Sequence, residues 1–204
     1  MTNNPGLLLV LSGPSGAGKD TVLKQLIRAD ENIQLSISAT TRAPREGEKN
    51  GIDYFFLSKA EFIQMLSKDG MLEHAEYCGN YYGTPRATVE EWMNKGRDVI
   101  LEIEVQGAGQ IREKCPDSVS VFILPPSLKV LGDRLRRRGT ETDEVIEKRL
   151  SAAREEILQA VNYDYVVIND SLEQCVQQIC AIIMAEKQKT ARMNTIINEV
   201  LTDA

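Results

Sequence analysis

Residues 7–27 constrain the fold more than any other part of the chain. Leu7 to Leu11 is an unbroken apolar run, Gly13 to Lys19 reads GPSGAGK, and KDTVLKQLIRA then sets Val22, Leu23, Leu26 and Ile27 on one face. An apolar run between glycines predicts a strand buried on both faces, and apolar residues three and four apart predict a helix. The glycines let successive N–H groups turn toward one point, and the helix beginning at Lys19 aims its positive end there. Such a loop cradles phosphate. Gly13, Ser15, Gly16, Ala17 and Gly18 form the cradle, Lys19 reaches the outer phosphates, and Thr21 can contact an inner one. Asp20 breaks the pattern, because a Ser or Thr hydroxyl usually stands there on Mg²⁺. The helix dipole favours an acid in the first turn by about 0.3–1 kcal/mol, but a triphosphate repels it unless a cation intervenes. Two readings stay open: Asp20 holds Mg²⁺, directly or through water, or it points outward and Thr21 with nearby glutamates does the work.

DVILEIEVQG (98–107), SVSVFIL (118–124) and DYVVIND (164–170) read as further core strands, with AGQIREKC a short crossover helix between the first two. Strand, helix and strand in this rhythm predict an α/β fold with a parallel sheet covered on both faces. At 204 residues the chain fits one core with large insertions. The core is assigned to 1–35, 85–125 and 158–204, with excursions at 36–84 and 126–157. In the first excursion, Ser58 to Glu61 (SKAE) is a capping box opening a helix to about Asp69, and MLEHAEYCGNYYG is a hairpin turning at Gly79 and Asn80. Thr84 is expected to cap a helix that has Pro85 at its first position and runs to Lys95. The second excursion predicts two helices broken near Gly139. Ser171 to Gln174 caps a C-terminal helix with a core stripe of Val176, Ile179, Ile183 and Met184. The tail carries Met193, Ile196, Ile197, Val200 and Leu201, which leaves open an extension over the core or a homo-oligomer.

A formal net charge of −6 argues against indiscriminate binding to nucleic acid or an acidic membrane. MTNNPG lacks a basic region and LLLVL is too short for a signal core or a span, which predicts a soluble, cytoplasmic protein. Cys78, Cys115, Cys175 and Cys180 form no CxxC pair and His74 is the only histidine, so the usual zinc spacings are excluded and buried free thiols are expected. The basic cluster in DRLRRRGTETDEVIEKRLSAAR therefore serves a local purpose. It lacks the interleaved aromatics of a nucleic-acid patch.

In TTRAPR, two rigid guanidinium forks three residues apart can close on one phosphate. Glu102 and Glu104, at the end of a core strand and on one face of it, are candidates for holding a Mg²⁺-bound water. SATTRAPREGEKNGIDYFF, LEHAEYCGNYYGTP, LEIEVQGA and RGTETDEVIEKRLSAA follow in order over essentially the whole chain, and together they resemble the guanylate kinases. The resemblance implies a P-loop three-layer core with a parallel sheet, a small GMP-binding insertion with strands, and a helical lid. It implies the reaction ATP + GMP ⇌ ADP + GDP with Mg²⁺, and dGMP as a further acceptor. By resemblance Arg42, Arg45, Tyr54 and Tyr82 bind the GMP phosphate. Glu73 accepts from guanine N1–H and N2–H₂, Ser38 and Thr84 stand near O6, and Glu102 belongs to the GMP site. Arg134, Arg138 and Arg149 close over the ATP phosphates, Arg154 is a weaker candidate, and Arg136 and Arg137 are solvated. Asp20 and Glu104 are the metal candidates. His74 has no expected role, because the nucleophile is a phosphate monoester with a second pKa of about 6. The rivals are an inactive guanylate-kinase-like phosphopeptide-binding module and a kinase for another base. The first typically loses the phosphate-loop and lid residues that this chain keeps, and Glu73 with Ser38 disfavours the second.

Overall fold

A computed structural model describes residues 5–137 and 142–202 of the chain. The elements run β1 (Leu8–Ser12), α1 (Lys19–Ala29), β2 (Ile33–Leu35), β3 (Ala39–Thr40), β4 (Phe55–Phe56), α2 (Lys59–Ser67), β5 (Met71–Tyr77), β6 (Asn80–Pro85) and α3 (Arg86–Asn94). They continue with β7 (Asp98–Glu102), α4 (Val105–Lys114), β8 (Val119–Leu124), α5 (Leu128–Arg137), α6 (Asp143–Leu158), β9 (Tyr165–Ile168), α7 (Leu172–Lys187) and α8 (Thr190–Thr202).

The first apolar run becomes the central strand. The core sheet is parallel throughout, in the order β2-β7-β1-β8-β9. Leu9 and Leu11 face one side with Ile100, Val121 and Val167, against Val22, Leu23 and Leu26 of α1 and Cys175, Ile179 and Ile183 of α7. Leu8 and Val10 face the other side with Val99 and Leu101, against Val89 of α3 and Ala108 and Ile111 of α4. Both faces are apolar because helices cover both, which is the expected three-layer α/β core. A second sheet, β4-β3-β6-β5, runs from Ala39 to Pro85 and packs Ala39 and Met71 around Phe62 of α2. The second excursion is the α5–α6 pair, joined through Leu131, Leu135, Ile146 and Ala153. Arg138 and Gly139 lie outside the described residues.

Several local expectations shift by a residue or a face. The Ser58 capping box forms, with Glu61 N–H donating to Ser58 Oγ at 3.2 Å and Ser58 N–H to Glu61 Oε2 at 2.7 Å. The hairpin turns at Cys78 and Gly79 instead of Gly79 and Asn80. Both have left-handed backbones (φ 50° and 75°), as a two-residue turn matching strand twist requires, and Asn80 already pairs with Tyr77. Thr84 does not cap α3: Pro85 is the N-cap, and the Thr84 hydroxyl is spent on Glu73. Glu104 does not share a strand face with Glu102, because β7 ends at Glu102 and Glu104 is the N-cap of α4. Ile27 and Met184 face solvent: each stands about 100° around its helix from a buried neighbour, Leu26 or Ile183, beyond the stripe the sheet can cover. The tail is a separate helix, not an extension of α7, and none of its residues is buried. Cys175 is buried, Cys115 and Cys180 are half-buried, and Cys78 in the turn is exposed. No helix among the described residues is long and apolar enough to cross a membrane.

Candidate active site

The glycine-rich loop is braced from behind by two elements remote in sequence. Gly16 and Gly18 both have positive φ (91° and 93°), and a Cβ on Gly18 would lie 2.6 Å from Asn169 Nδ2. Asn169, just past β9, donates from Nδ2 to Ala17 O at 2.7 Å. Arg134 on α5 donates from Nη1 to the same carbonyl at 3.2 Å and from Nη2 to Asn169 O at 2.8 Å. These bonds hold the Ala17 carbonyl, while the Ala17 N–H closes the loop on Pro14 O at 3.0 Å. Lys19 arches over the loop, donating to Gly13 O at 2.6 Å and more weakly to Pro14 O at 3.4 Å. A pocket of about 310 Å³ opens beside it, lined by Gly16, Gly18, Thr21, Arg134, Asn169 and Asp170 among others. Sequence reasoning missed Asn169; its signal is a buried amide ending an otherwise apolar strand.

A group of carboxylates gathers at the loop. Parallel pairing of β1 with β7 sets Leu11 opposite Glu102, so Glu102 comes up beside the loop as β1 enters it. Its carboxyl is pushed up to about 7, first by burial, then by the charge and hydrogen bond of Asp20, against the pull of Lys19. The neighbour that Asp20 acts on is therefore Glu102. Burial raises both Glu73 and Glu156, and the charge of Glu104 adds a smaller push to each; Glu156, a residue of α6 that sequence reasoning did not single out, is also drawn down by Lys19. Among the described residues no group of three or more His, Cys, Asp or Glu forms a ready metal cage. A paired carboxylate site completed by water and phosphate oxygens is what Mg²⁺ prefers to such a cage.

The Glu102 shift predicts a pH effect on stability. Its folded value of about 7 lies above the ordinary 4.5, so the folded state retains a proton that the unfolded chain has lost. That contribution is complete below about 4.5 and disappears as pH rises through about 7. Urea midpoints measured between those pH values should fall in the parent relative to Glu102→Gln, whose amide cannot ionise. A parent-minus-variant difference that stays flat with pH rejects the raised value.

The second group lies in the β3–β6 excursion. Arg42 grips Glu48 with both terminal nitrogens, at 3.0 and 2.9 Å, and its guanidinium lies 5.5 Å from the Tyr54 ring centroid and 5.8 Å from that of Phe56. Tyr54 in turn meets Tyr82 edge-on at 6.3 Å. Glu48 also accepts from the Arg45 N–H at 2.7 Å, while the Arg45 residue is exposed. The Arg42 fork expected to close on phosphate is thus already held by a carboxylate. Glu48 was missed from sequence, although the spacing R-x-x-R-x-x-E advertises it. Ser38 is half-buried, and its carbonyl accepts from Phe55 N–H at 2.9 Å.

Glu73 is only 6% exposed and accepts from Thr84 Oγ1 at 2.7 Å. Burial pushes its carboxyl up, while the Thr84 bond and Lys114 pull it down. Its neighbour His74 has a buried Nδ1 without a hydrogen-bond partner among the described residues. On the α5–α6 pair, Arg149 is half-buried and Arg154 exposed, and Arg136 reaches Asp133 at 3.8 Å and Glu147 at 3.7 Å. Lys19, Asp20, Glu102 and Arg134 therefore converge on the loop, Arg42, Tyr54 and Tyr82 on one another, and Thr84 on Glu73.

The guanylate kinase family model matches residues 6–186. The chain is 52% identical over 194 residues to the guanylate kinase of Clostridioides difficile (strain 630), covering 95% of each. It is 54% identical over 193 residues to that of Halalkalibacterium halodurans, again covering 95% of each. The crystal structure of guanylate kinase from Anaplasma phagocytophilum superposes with a TM-score of 0.72 at 40% identity, over 93% of this chain and 90% of that one. Match, identity and fold agree over nearly the full length, and the chain belongs to the guanylate kinase family.

Proposed function

We propose that this chain transfers the γ-phosphate of ATP to GMP, and to dGMP, giving ADP and the nucleoside diphosphate by in-line attack. One observation carries the reading: a phosphate loop with its lysine and a buried, threonine-bonded carboxylate at Glu73 occur in one fold. The acceptor phosphate is largely dianionic at neutral pH and needs no general base. Catalysis then rests on positioning and charge. Lys19 and Arg134 act at the loop, Arg42 from the GMP side, and Arg138 and Arg149 from the lid. Glu48 fixes the Arg42 plane over Tyr54, so the fork need not be ordered when the GMP phosphate arrives with Arg45 and Tyr82. In this reading residues 36–84 are the GMP-binding insertion and 126–157 the lid, and their closure excludes the water that would hydrolyse ATP.

Glu73 accounts for base choice. Guanine offers donors at N1 and N2 to the carboxylate, with Thr84 and Ser38 near O6, whereas adenine presents an acceptor at N1. A site built around such hydrogen bonds can reject the wrong base by about 10⁴-fold. Asp20 and Glu102 suit a divalent cation held through water, since a cation relieves the Asp20 repulsion that adds to burial in raising Glu102. Mg²⁺ there supplies charge neutralisation of the phosphate oxygens. The substrates are free nucleotides of the cytoplasm, with neither nucleic acid nor membrane as partner.

A coupled assay of ADP formation with GMP, dGMP, AMP and UMP tests the reading. Turnover with the guanine nucleotides alone is expected; none with any acceptor favours a phosphopeptide-binding module, and preference for AMP overturns the role of Glu73. Asp20→Gly is expected to raise the Mg²⁺ concentration for half-maximal rate by about tenfold, with Asp20→Ser recovering much of it. An unchanged metal requirement in both variants rejects Asp20 as a ligand.

A further inference from the structure

Glu73 sits at an irregularity. Along the β5–β6 ladder Met71 pairs with Pro85 and His74 with Gly83, so three steps on β5 oppose two on β6 and a bulge falls at Leu72 and Glu73. Among the described residues β5 is also an edge strand, with β6 on one side and no strand on the other. A bulge on an edge has little ladder to hold it, yet this one must aim a buried carboxylate.

α4 supplies what the ladder lacks. The side-chain amide of Gln110 accepts from His74 N–H at 3.0 Å and donates to His74 O at 2.8 Å. A carboxamide carries the donor and acceptor of a peptide unit, so Gln110 completes the free edge of β5 as a neighbouring strand would. One turn away on each side, the same face of α4 touches β5 again. Lys114 Nζ donates to Met71 O at 3.2 Å, and Gly107 lies so close to Glu73 that an added Cβ would meet Oε2 at 2.8 Å. Residues 107, 110 and 114, spaced three and four apart, form one stripe that seats Glu73, His74 and Met71 in turn.

We propose that Gln110 is a positioning residue for guanine selection: its two bonds to the His74 backbone fix the bulge that aims Glu73, and Gly107 leaves the space in which that carboxylate lies. This rests on the reading of Glu73 as the guanine-binding carboxylate. Gln110 acts through β5, by its bonds to the His74 backbone.

The test uses Gln110→Leu, similar in bulk but without either bond, and Gln110→Glu, which keeps the acceptor for His74 N–H but sets a second oxygen against His74 O. Calorimetric Kd for GMP, KM for GMP and ATP, the GMP-to-AMP turnover ratio and the melting temperature are compared with the parent. With two neutral hydrogen bonds lost, GMP should bind about tenfold more weakly to Gln110→Leu, with a lower GMP-to-AMP ratio and an unchanged KM for ATP. Gln110→Glu should fall between it and the parent, and it carries the measurement if Gln110→Leu does not fold. Gly107→Ala should weaken GMP binding independently. A parent that binds GMP while the Gln110 variants bind it equally well overturns the proposal. So does a parallel loss of GMP affinity, ATP affinity and melting temperature, which would make Gln110 merely structural. A parent that does not bind GMP overturns the reading of Glu73 and the proposal with it.

Discussion

Lys19→Met should lower kcat for GMP phosphorylation by about 10³-fold, the upper end of what removing one preorganised donor costs when it faces developing charge. The reason lies in what Lys19 holds. Its ammonium is bound to Gly13 O and Pro14 O across the loop mouth, with helix α1 beginning at the same residue. On the proposed function, a phosphate entering the loop would exchange those carbonyls for its own oxygens, and the charge would be spent where the equatorial oxygens gain theirs. Methionine keeps the length and apolar stem, so the loop and its Asn169 and Arg134 braces should persist, and thermal stability should change little. Lys19→Arg should recover only part of the rate, since a planar fork does not fit where a compact ammonium spans two carbonyls. Single-turnover rates at saturating ATP and GMP, with melting curves on the same samples, test this. A parent-like rate in Lys19→Met would remove the loop from the chemistry.

Glu73→Gln should cut kcat/KM for GMP by about 10³-fold or more while leaving KM for ATP unchanged. The amide presents a donor toward guanine N1–H and N2–H₂ where the carboxylate accepts, so a buried pair of bonds becomes a clash. Stability should move the other way. Burial raises the Glu73 carboxyl, so its ionisation costs stability as pH rises from the ordinary 4.5 through the folded value, and a neutral amide removes that cost. The Thr84 hydroxyl can still donate to the amide oxygen. Loss of GMP turnover with equal or higher melting temperature is the expected signature. A variant that loses both together would make Glu73 a structural residue whose substitution merely unfolds the insertion.

Local features proved legible from sequence where backbone preference acts over a few residues. The strand before the loop, the helix from Lys19, the capping box at Ser58 and the cap at Ser171 all form as expected. Misplacements arose where a tertiary partner claimed a group. Thr84 looked like a helix cap because nothing nearby showed that its hydroxyl would meet Glu73. Glu104 looked like a strand residue because an alternating pattern continues past the point where α4 begins. Arg42 and Arg45 looked like a free phosphate clamp, although Glu48 already takes both ends of the first fork. Local elements were thus readable along the chain, and the side-chain bonds between remote segments were not.

By itself the sequence determined the α/β class, the glycine-rich loop in its strand-to-helix setting and the family, since each rests on periodicity, spacing or motif order along the chain. Only the tertiary structure decided that Asp20 would meet Glu102, that Asn169 and Arg134 would brace the loop, and that Gln110 would complete the edge beneath Glu73. The physical reason is the strand order β2-β7-β1-β8-β9, which does not follow the chain. β1 is flanked by β7 and β8, so the neighbours of the loop come from remote segments. Parallel register then selects which residue of each arrives there, and no local pattern encodes that choice.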